Sequence, residues 1–413
     1  MMLYERLTVR VVAVHVLCGA LDKDLLAKAF DATLAAHPVL LGRVTKDDDG
    51  YLVQSHRGEP PRLRISEGGT EAFREELNSR LTPGGDLVRA TLLCDEPEHT
   101  LILNLHHVFA DGRNLIALGE ALWRTYTALA AGEPPVLNSP DRYPDPIETH
   151  LQHWSDTKIA YFVDEQDKAS QQQDLATMPA TTGATLPRGK MSTIDVQRLR
   201  LDRGDTDEVI AAARAAGIGM HQLISGALLT QLRPHLHPQT GPVTVGCMSA
   251  VDLRSRLMPP LPDDDMIVAT SWFTGVVSLF DGADPIEIGR GYGDQLRAGI
   301  TSGIPELNIR AIPHLDAGKS VLRASLSVSN LNTVPVPMTP AGLEFTDLRI
   351  FAAPDKNFEK PDDGRLRVHV LTMDGRLNLD IAYDRDFFRP AQIRDVLDNT
   401  GAVLRSSPAS RTI

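Results

Sequence analysis

The chain has 413 residues, with 42 Lys and Arg against 54 Asp and Glu, a formal charge of −12. That length corresponds to roughly two to three average domains, and 42% hydrophobic with 23% charged residues is the balance of a folded globular chain, not a disordered one. The acidic balance argues against bulk nucleic-acid binding, which needs cationic surface to displace counterions from phosphate. Cys18, Cys94 and Cys247 are far apart and odd in number, so neither a disulfide framework nor a zinc site is indicated. The apolar run at 11–17 is short and interrupted by His15, so it reads as a strand and not as a leader. With no stretch of about 18 apolar residues, no membrane span is expected, and the chain reads as cytoplasmic.

Residues 8–17 are β-rich, and 22–36 carry Leu25, Leu26, Ala29, Phe30, Thr33 and Leu34 at helical spacing. His37-Pro38 ends that helix, because proline disfavours helical backbone in the residue before it. Short strands are expected at 51–56 and 62–65, a helix at 70–81, and strands at 87–94 and 100–107. Residues 114–131 predict a strongly amphipathic helix, with Leu115, Leu118, Leu122, Tyr126 and Leu129 three or four apart and Gly132 at the C-cap position. From 164 to 190 the chain turns polar, Gln-rich and spotted with Pro, Gly and Thr, and reads as a linker or mobile loop. The pattern then restarts with a strand at 192–201, helices at 206–216 and 221–232, strands at 243–250 and 268–280, and a helix at 285–300. Strands at 321–328, 343–351, 366–371 and 377–383 follow before a last helix at 390–403. Both halves therefore mix strands and helices. The expected architecture is a two-lobed α/β chain with its site in the crevice between lobes.

Leu101-Ile-Leu-Asn-Leu-His-His-Val-Phe-Ala-Asp-Gly112 runs from a strand through a turn into the helix at 114. Strand alternation puts Leu101, Leu103, Leu105 and His107 on one face, and Ile102, Asn104 and His106 on the other. An imidazole at the end of a buried strand is held rigidly yet reaches a cleft, and neutral imidazole is the usual general base near neutral pH. Asp111 at the turn suits either orientation of a neighbour or a salt bridge to a distant arginine. It is equally an ordinary helix N-cap. Gly112 leaves room where a ligand or backbone approaches closely.

His106-His107-Val108-Phe109-Ala110-Asp111-Gly112 resembles the HHxxxDG signature of the condensation-domain superfamily. That superfamily includes chloramphenicol acetyltransferase, nonribosomal peptide condensation domains and the polyketide-associated O-acyltransferases of mycobacteria. The flanks are similar too. AAHPVLLGRV resembles the family's first helix exit, and Ser249-Ala-Val-Asp-Leu-Arg254 the "xDLR" element of the polyketide-associated branch. Ser327-Val-Ser-Asn330 resembles the late "SN" strand, and LNLDIAYDRDFF the segment before the last helix. The strand departs from the family pattern at Asn332, where many relatives carry glycine. No DFGWG string accompanies the motif, so the plant-type branch does not fit. The closest likeness is to the phthiocerol dimycocerosyl transferase-like O-acyltransferases.

The resemblance implies mixed α/β sheets in two chloramphenicol-acetyltransferase-like lobes that form a V with a tunnel at their interface. The expected division is an N-terminal lobe at 1–165, a linker at 166–190 and a C-terminal lobe at 191–413. It implies His107 as the catalytic base, with His106, Asp111, Gly112 and Arg254 as structural support and an Asp111–Arg254 pair beneath the loop. Ser329 and Asn330 would belong to the acyl or oxyanion pocket. The implied reaction moves an acyl group from a coenzyme A or acyl-carrier-protein thioester to a hydroxyl of a polyketide- or lipid-like acceptor. It needs no metal and no permanently bound cofactor, and the unit would be a monomer. Two alternatives share the motif: a free-standing condensation enzyme forming an amide on an amine, and a non-catalytic relative that binds a carrier protein or metabolite.

Other features carry less. Gly289-Arg-Gly-Tyr-Gly293 lies in a helical stretch and lacks a full nucleotide fingerprint. Cys247 reads as a core residue, and no GxSxG elbow is present. His221 reads as a surface or first-turn residue of its helix. Asp263-Asp264-Asp265 reads as a solvated loop in preference to a cation site. Arg188, Lys190, Arg198, Arg200 and Arg203 read as a solvated strand edge in preference to a phosphate or carrier-protein contact.

Overall fold

Period-two apolar runs become strands that gather into two large sheets, each covered by helices. The computed structural model describes residues 9–47, 50–55, 58–82, 84–137, 143–179, 191–316, 323–354 and 364–406. In chain order the first half contains β1 (Val9–Gly19), α1 (Lys23–Ala35), β2 (Gly42–Asp47), β3 (Gly50–Ser55), β4 (Leu63–Glu67), α2 (Thr70–Leu77), β5 (Val88–Asp95), β6 (Glu98–His106), α3 (Gly112–Ala130) and α4 (Asp156–Gln172). The second half contains β7 (Ile194–Arg200), α5 (Arg203–Ala215), α6 (Met220–Leu232), β8 (Val243–Asp252), β9 (Thr270–Leu279), α7 (Pro285–Thr301), α8 (Ile304–Asp316), β10 (Leu326–Val334), β11 (Leu343–Pro354), β12 (Leu366–Met373), β13 (Arg376–Asp384) and α9 (Pro390–Arg405). The strand orders are β11-β1-β6-β5-β4 and β7-β13-β12-β10-β8-β9, with β2-β3 as a separate pair. No helix among the described residues is long and apolar enough to cross a membrane.

β1 pairs antiparallel with both β6 and β11, and Val11, Val12, Ala13 and Val14 are buried on both faces. A strand covered on both sides carries an unbroken apolar run where a half-exposed one would alternate. His15, which interrupts that run, is buried against α3 and accepts a hydrogen bond from Trp123 Nε1 at 3.0 Å. Burial lowers its pKa to about 3, so it stays a neutral acceptor. Gly119 permits the docking, since a Cβ there would lie 2.8 Å from His15 Cε1.

Three expectations need correction. β11 was expected to continue the second lobe, but it completes the first sheet beside β1. Strand periodicity marks which faces are buried and carries no label for the partner strand. Residues 164–172 of the expected linker are the second half of α4, which Ser155 caps and whose Ile159, Phe162 and Val163 pack on Leu307 and Ala311 of α8. The polar residues hide the stripe because only three positions need be apolar. Within 173–179 Met178 is buried and Ala176 N donates to Thr244 O of the second sheet, and 180–190, including Arg188 and Lys190, are outside the described residues. Lastly, Arg198 is not on a solvated edge. It is buried between the sheets, bonded to Asp380 of β13 and to both carboxylate oxygens of Asp347 on β11 at 2.7 Å. Arg203 pairs with Asp374 at the surface.

Candidate active site

β6 delivers the histidine pair to the rim of the first sheet, and α3 begins five residues beyond His107. His106, the last residue of β6, is buried. Its Nδ1 accepts the Val108 N–H at 3.3 Å, and its ring meets Phe109 edge-on. Burial, with a smaller effect from neighbouring His107, lowers its pKa to about 4. It is a neutral structural group. His107 lies just past the strand and is half-buried, its N–H still donating to Val9 O of β1 at 2.9 Å. Its Nδ1 is 2.8 Å from the Ala110 carbonyl oxygen. A carbonyl only accepts, so Nδ1 carries the proton and Nε2 holds the free lone pair.

Asp111 caps α3. Oδ1 accepts from the backbone N–H of Arg113 at 3.0 Å and of Asn114 at 3.4 Å. Oδ2 accepts from Arg254 Nη1 at 2.9 Å, Ala269 N at 3.0 Å and Thr270 Oγ1 at 2.9 Å. This buried carboxylate is saturated by donors and has no lone pair left to orient His107. Arg254, itself buried, follows β8 in the second lobe, and its Nη2 donates to Asn114 Oδ1 and Ile267 O. Burial opposes its charge, but Asp111 and then Asp252 outweigh that effect and its pKa is raised.

Asn114 is the residue that sequence reasoning missed. Its Oδ1 accepts Asp111 N at 3.0 Å, and its Nδ2 donates to the carbonyls of Asp263 and Asp265 at 2.9 and 2.7 Å. The available signal was Asp-x-x-Asn at a helix start, a capping box with asparagine in place of Glu or Gln. The acidic loop is thus strapped to α3 and not simply solvated, and Asp263 and Asp264 line a cavity of about 230 Å³ with His37, Glu120 and Arg124.

Gly112 has a different neighbour from the one expected. A Cβ there would sit 2.7 Å from Leu331 Cδ2, so a leucine of β10 fills the space. That contact brings β10 against the start of α3, and strand alternation turns Ser327 and Ser329 to the same face as Leu331. Asn330 Oδ1 accepts the Asn332 N–H at 2.8 Å, holding a bulge between Asn330 and Thr333. Asn332 has φ 59°, the left-handed region that asparagine tolerates best after glycine. The departure from glycine therefore keeps the backbone shape. Among the described residues no hydrogen bond joins Ser329 or Asn330 to His107.

The remaining candidates are structural. Gly289 packs α7 on α6, where a Cβ would meet Gln222 O at 2.3 Å. Burial pushes the Cys247 thiol up to about 12, which removes its thiolate. His221 is in the first turn of α6 but faces inward: Nε2 is 2.6 Å from Ser249 Oγ, which lies 2.5 Å from the Tyr292 hydroxyl.

Known proteins resemble this chain over most of its length. A sequence model of the condensation domain matches residues 10–234, and one of the phthiocerol/phthiodiolone dimycocerosyl transferase C-terminus matches residues 190–382. A phthiocerol/phthiodiolone dimycocerosyl transferase of Mycobacterium sp. (strain JLS) is 25% identical over 340 residues, covering 79% of this chain and 78% of that protein. Its counterpart in Mycobacterium tuberculosis is 26% identical over 353 residues, covering 80% and 79%. The solved structure of polyketide synthase associated protein 5 from Mycobacterium tuberculosis superposes with a TM-score of 0.77 at 20% identity, over 99% of this chain and 97% of that one. The chain belongs to the condensation-domain family.

Proposed function

We propose that this acyltransferase moves an acyl group from a thioester, carried by coenzyme A or by the phosphopantetheine arm of a carrier protein, to a hydroxyl of a polyketide- or lipid-like acceptor. The observation that carries the reading is the tautomer of His107: Nδ1–H is committed to Ala110 O, so Nε2 is the base. The acceptor O–H gives its proton to Nε2 as its oxygen bonds to the thioester carbonyl carbon. The carbonyl π electrons move onto oxygen and form a tetrahedral oxyanion. When C=O reforms, the C–S bond breaks, and the leaving sulfur takes the proton back from Nε2. The thioester is already activated, so a base, alignment and oxyanion stabilisation supply the catalysis. Ser329 and Asn330 are the candidates for the oxyanion or acyl pocket. His106, Asp111, Gly112 and Arg254 support the base. The relatives' naming for transfer to phthiocerol or phthiodiolone supports a hydroxyl acceptor over an amine. The Asp111–Arg254 contact joins the two lobes within one chain, which supports a monomer as the working unit.

The test is thiol release from acyl-coenzyme A donors of short to long chain, with alcohols and amines as acceptors and His107→Ala alongside. A general base contributes about 10²–10⁴-fold, and that is the expected loss in kcat with the melting temperature unchanged. Transfer at the wild-type rate by folded His107→Ala would remove the base assignment. A preference for amines would move the reaction to amide formation. Silence with both coenzyme A and a loaded carrier protein would favour the binding-only alternative.

A further inference from the structure

His369 stands on β12 of the second sheet. The parallel register sets it beside Ser329 of β10, and the antiparallel register sets Asp380 of β13 on its other side. Side chains paired in this way share a face of the sheet, so His369, Ser327 and Ser329 lie on the side where Leu331 meets α3. The His369 Nε2 accepts the backbone N–H of Ala352 at 3.1 Å. Ala352 belongs to β11, the outer strand of the first sheet, and its N–H projects from an edge that no strand among the described residues pairs. One imidazole of the second sheet thereby caps the edge of the first.

The position is also near the base. Ala352 pairs with Val11 on β1, and Val9 of that strand receives the His107 N–H, so one continuous ladder connects the cap to His107. Burial, then Arg367, then His107 lower the His369 pKa to about 3, against a small opposing effect of the Asp380 backbone carbonyl. Because Nε2 accepts the Ala352 N–H, the ring proton is on Nδ1, where the Asp380 backbone carbonyl favours it.

We propose that His369 is a positioning residue for acyl transfer: by clamping β12 to the edge of β11 it fixes the Ser329–Asn330 wall of the second sheet relative to His107 on the first. The inference rests on the reading of His107 as the base. A misplacement of about 1 Å costs a reaction about 10²-fold, which sets the scale of the effect.

The experiment measures kcat, KM and melting temperature for full-length His369→Phe, His369→Gln and Ala352→Pro by thiol release. Phenylalanine fills the space and accepts no hydrogen bond, so kcat falls about 10–10²-fold with KM nearly unchanged. Glutamine offers its Oε1 to Ala352 N–H and restores most of the rate. Ala352→Pro deletes the donor at an outward edge, where proline is tolerated, and should reproduce the loss if His369→Phe does not fold. The double variant should be no worse than either single one, because both remove the same bond. Wild-type kcat in Ala352→Pro, or equal damage from glutamine and phenylalanine, would overturn the proposal. The His107→Ala arm separates the two levels: wild-type transfer by that variant defeats the base assignment, whereas its loss beside an undisturbed Ala352→Pro defeats only the clamp.

Discussion

Asp111→Asn tests the division of labour at the motif. Two donors converge on Oδ1 and three on Oδ2, all from groups that remain in the variant. An amide has one acceptor oxygen, so whichever way it turns, its NH2 faces N–H or O–H donors. The less costly orientation keeps the helix cap, since asparagine caps as well as aspartate, and turns the NH2 toward Arg254. The buried guanidinium then loses its 2.9 Å partner and retains Asp252 at 3.2 Å and Asp263 at 3.7 Å. Breaking one side of a buried pair costs about 3–5 kcal/mol; with a second carboxylate in reach, the lower end, about 3 kcal/mol, is expected. The assay is thermal unfolding followed at several wavelengths beside kcat. Asp111→Asn should lower both stability and rate, and Arg254→Gln should lower stability by a similar amount. The pair should be less than additive, because both substitutions break one contact. Wild-type stability with reduced kcat would refute the argument, because it would make Asp111 a participant in chemistry and not an anchor.

Three further outcomes follow from the same geometry. Asn332→Gly should be neutral or slightly stabilising in a melt, and Asn332→Val should cost about 1–2 kcal/mol, because φ 59° puts a Cβ against the following carbonyl; equal melts for the two would contradict the left-handed assignment. Gly112→Ala should cost about 1–3 kcal/mol by overpacking and recover in combination with Leu331→Ala, which vacates the space; a loss that persists in the double variant would point away from Leu331. Burial holds His15 and His369 near 3 and His106 and His221 near 4, against an ordinary value of 6.5. Below about 6.5 the unfolded chain binds protons that the folded chain does not, so stability falls with pH down to the folded values, by at most about 1.4 kcal/mol per pH unit for each ring. A melting temperature flat or rising from pH 7 to pH 5 would contradict this.

The sequence makes the local chemistry legible and the partnerships only partly so. HHxxxDG places His107 at a strand end and Asp111 at a helix cap because strand alternation and helix capping act within a few residues. Arg254 is 143 positions from Asp111 and became visible only through resemblance to a family element. Asn114 escaped notice because a capping asparagine looks the same whether its amide meets water or two carbonyls of another lobe. β11 was assigned to the wrong sheet for a related reason: twelve residues of strand pattern fix two faces and leave the edge partner open. α8 has no counterpart among the expected elements: Pro305 suits a helix's first turn, but Pro313 lies inside the helix, where proline ordinarily argues against one. His369 had no local signature at all. Its meaning lies in an N–H of β11, an edge partner that periodicity leaves open.

The partners of His107 bear on the kind of reaction it suits. A histidine that draws a proton from a serine in a hydrolase is oriented by a carboxylate, which also stabilises the imidazolium that forms. Here the nearest motif carboxylate, Asp111, is fully occupied elsewhere, and the Ala110 carbonyl orients the ring without adding a negative charge. On the proposed reading, imidazolium persists only until the C–S bond breaks. The leaving thiolate, with an ordinary pKa of about 8.5, departs without the obligatory protonation that an amine leaving group needs. A backbone carbonyl is then sufficient, because it fixes the tautomer and direction of Nε2 and leaves the charge to be discharged by the thioester itself. The same reasoning accounts for the five donors that meet Asp111. The base needs an immobile turn more than an electrostatic partner, and that turn is immobilised by donors from the opposite lobe.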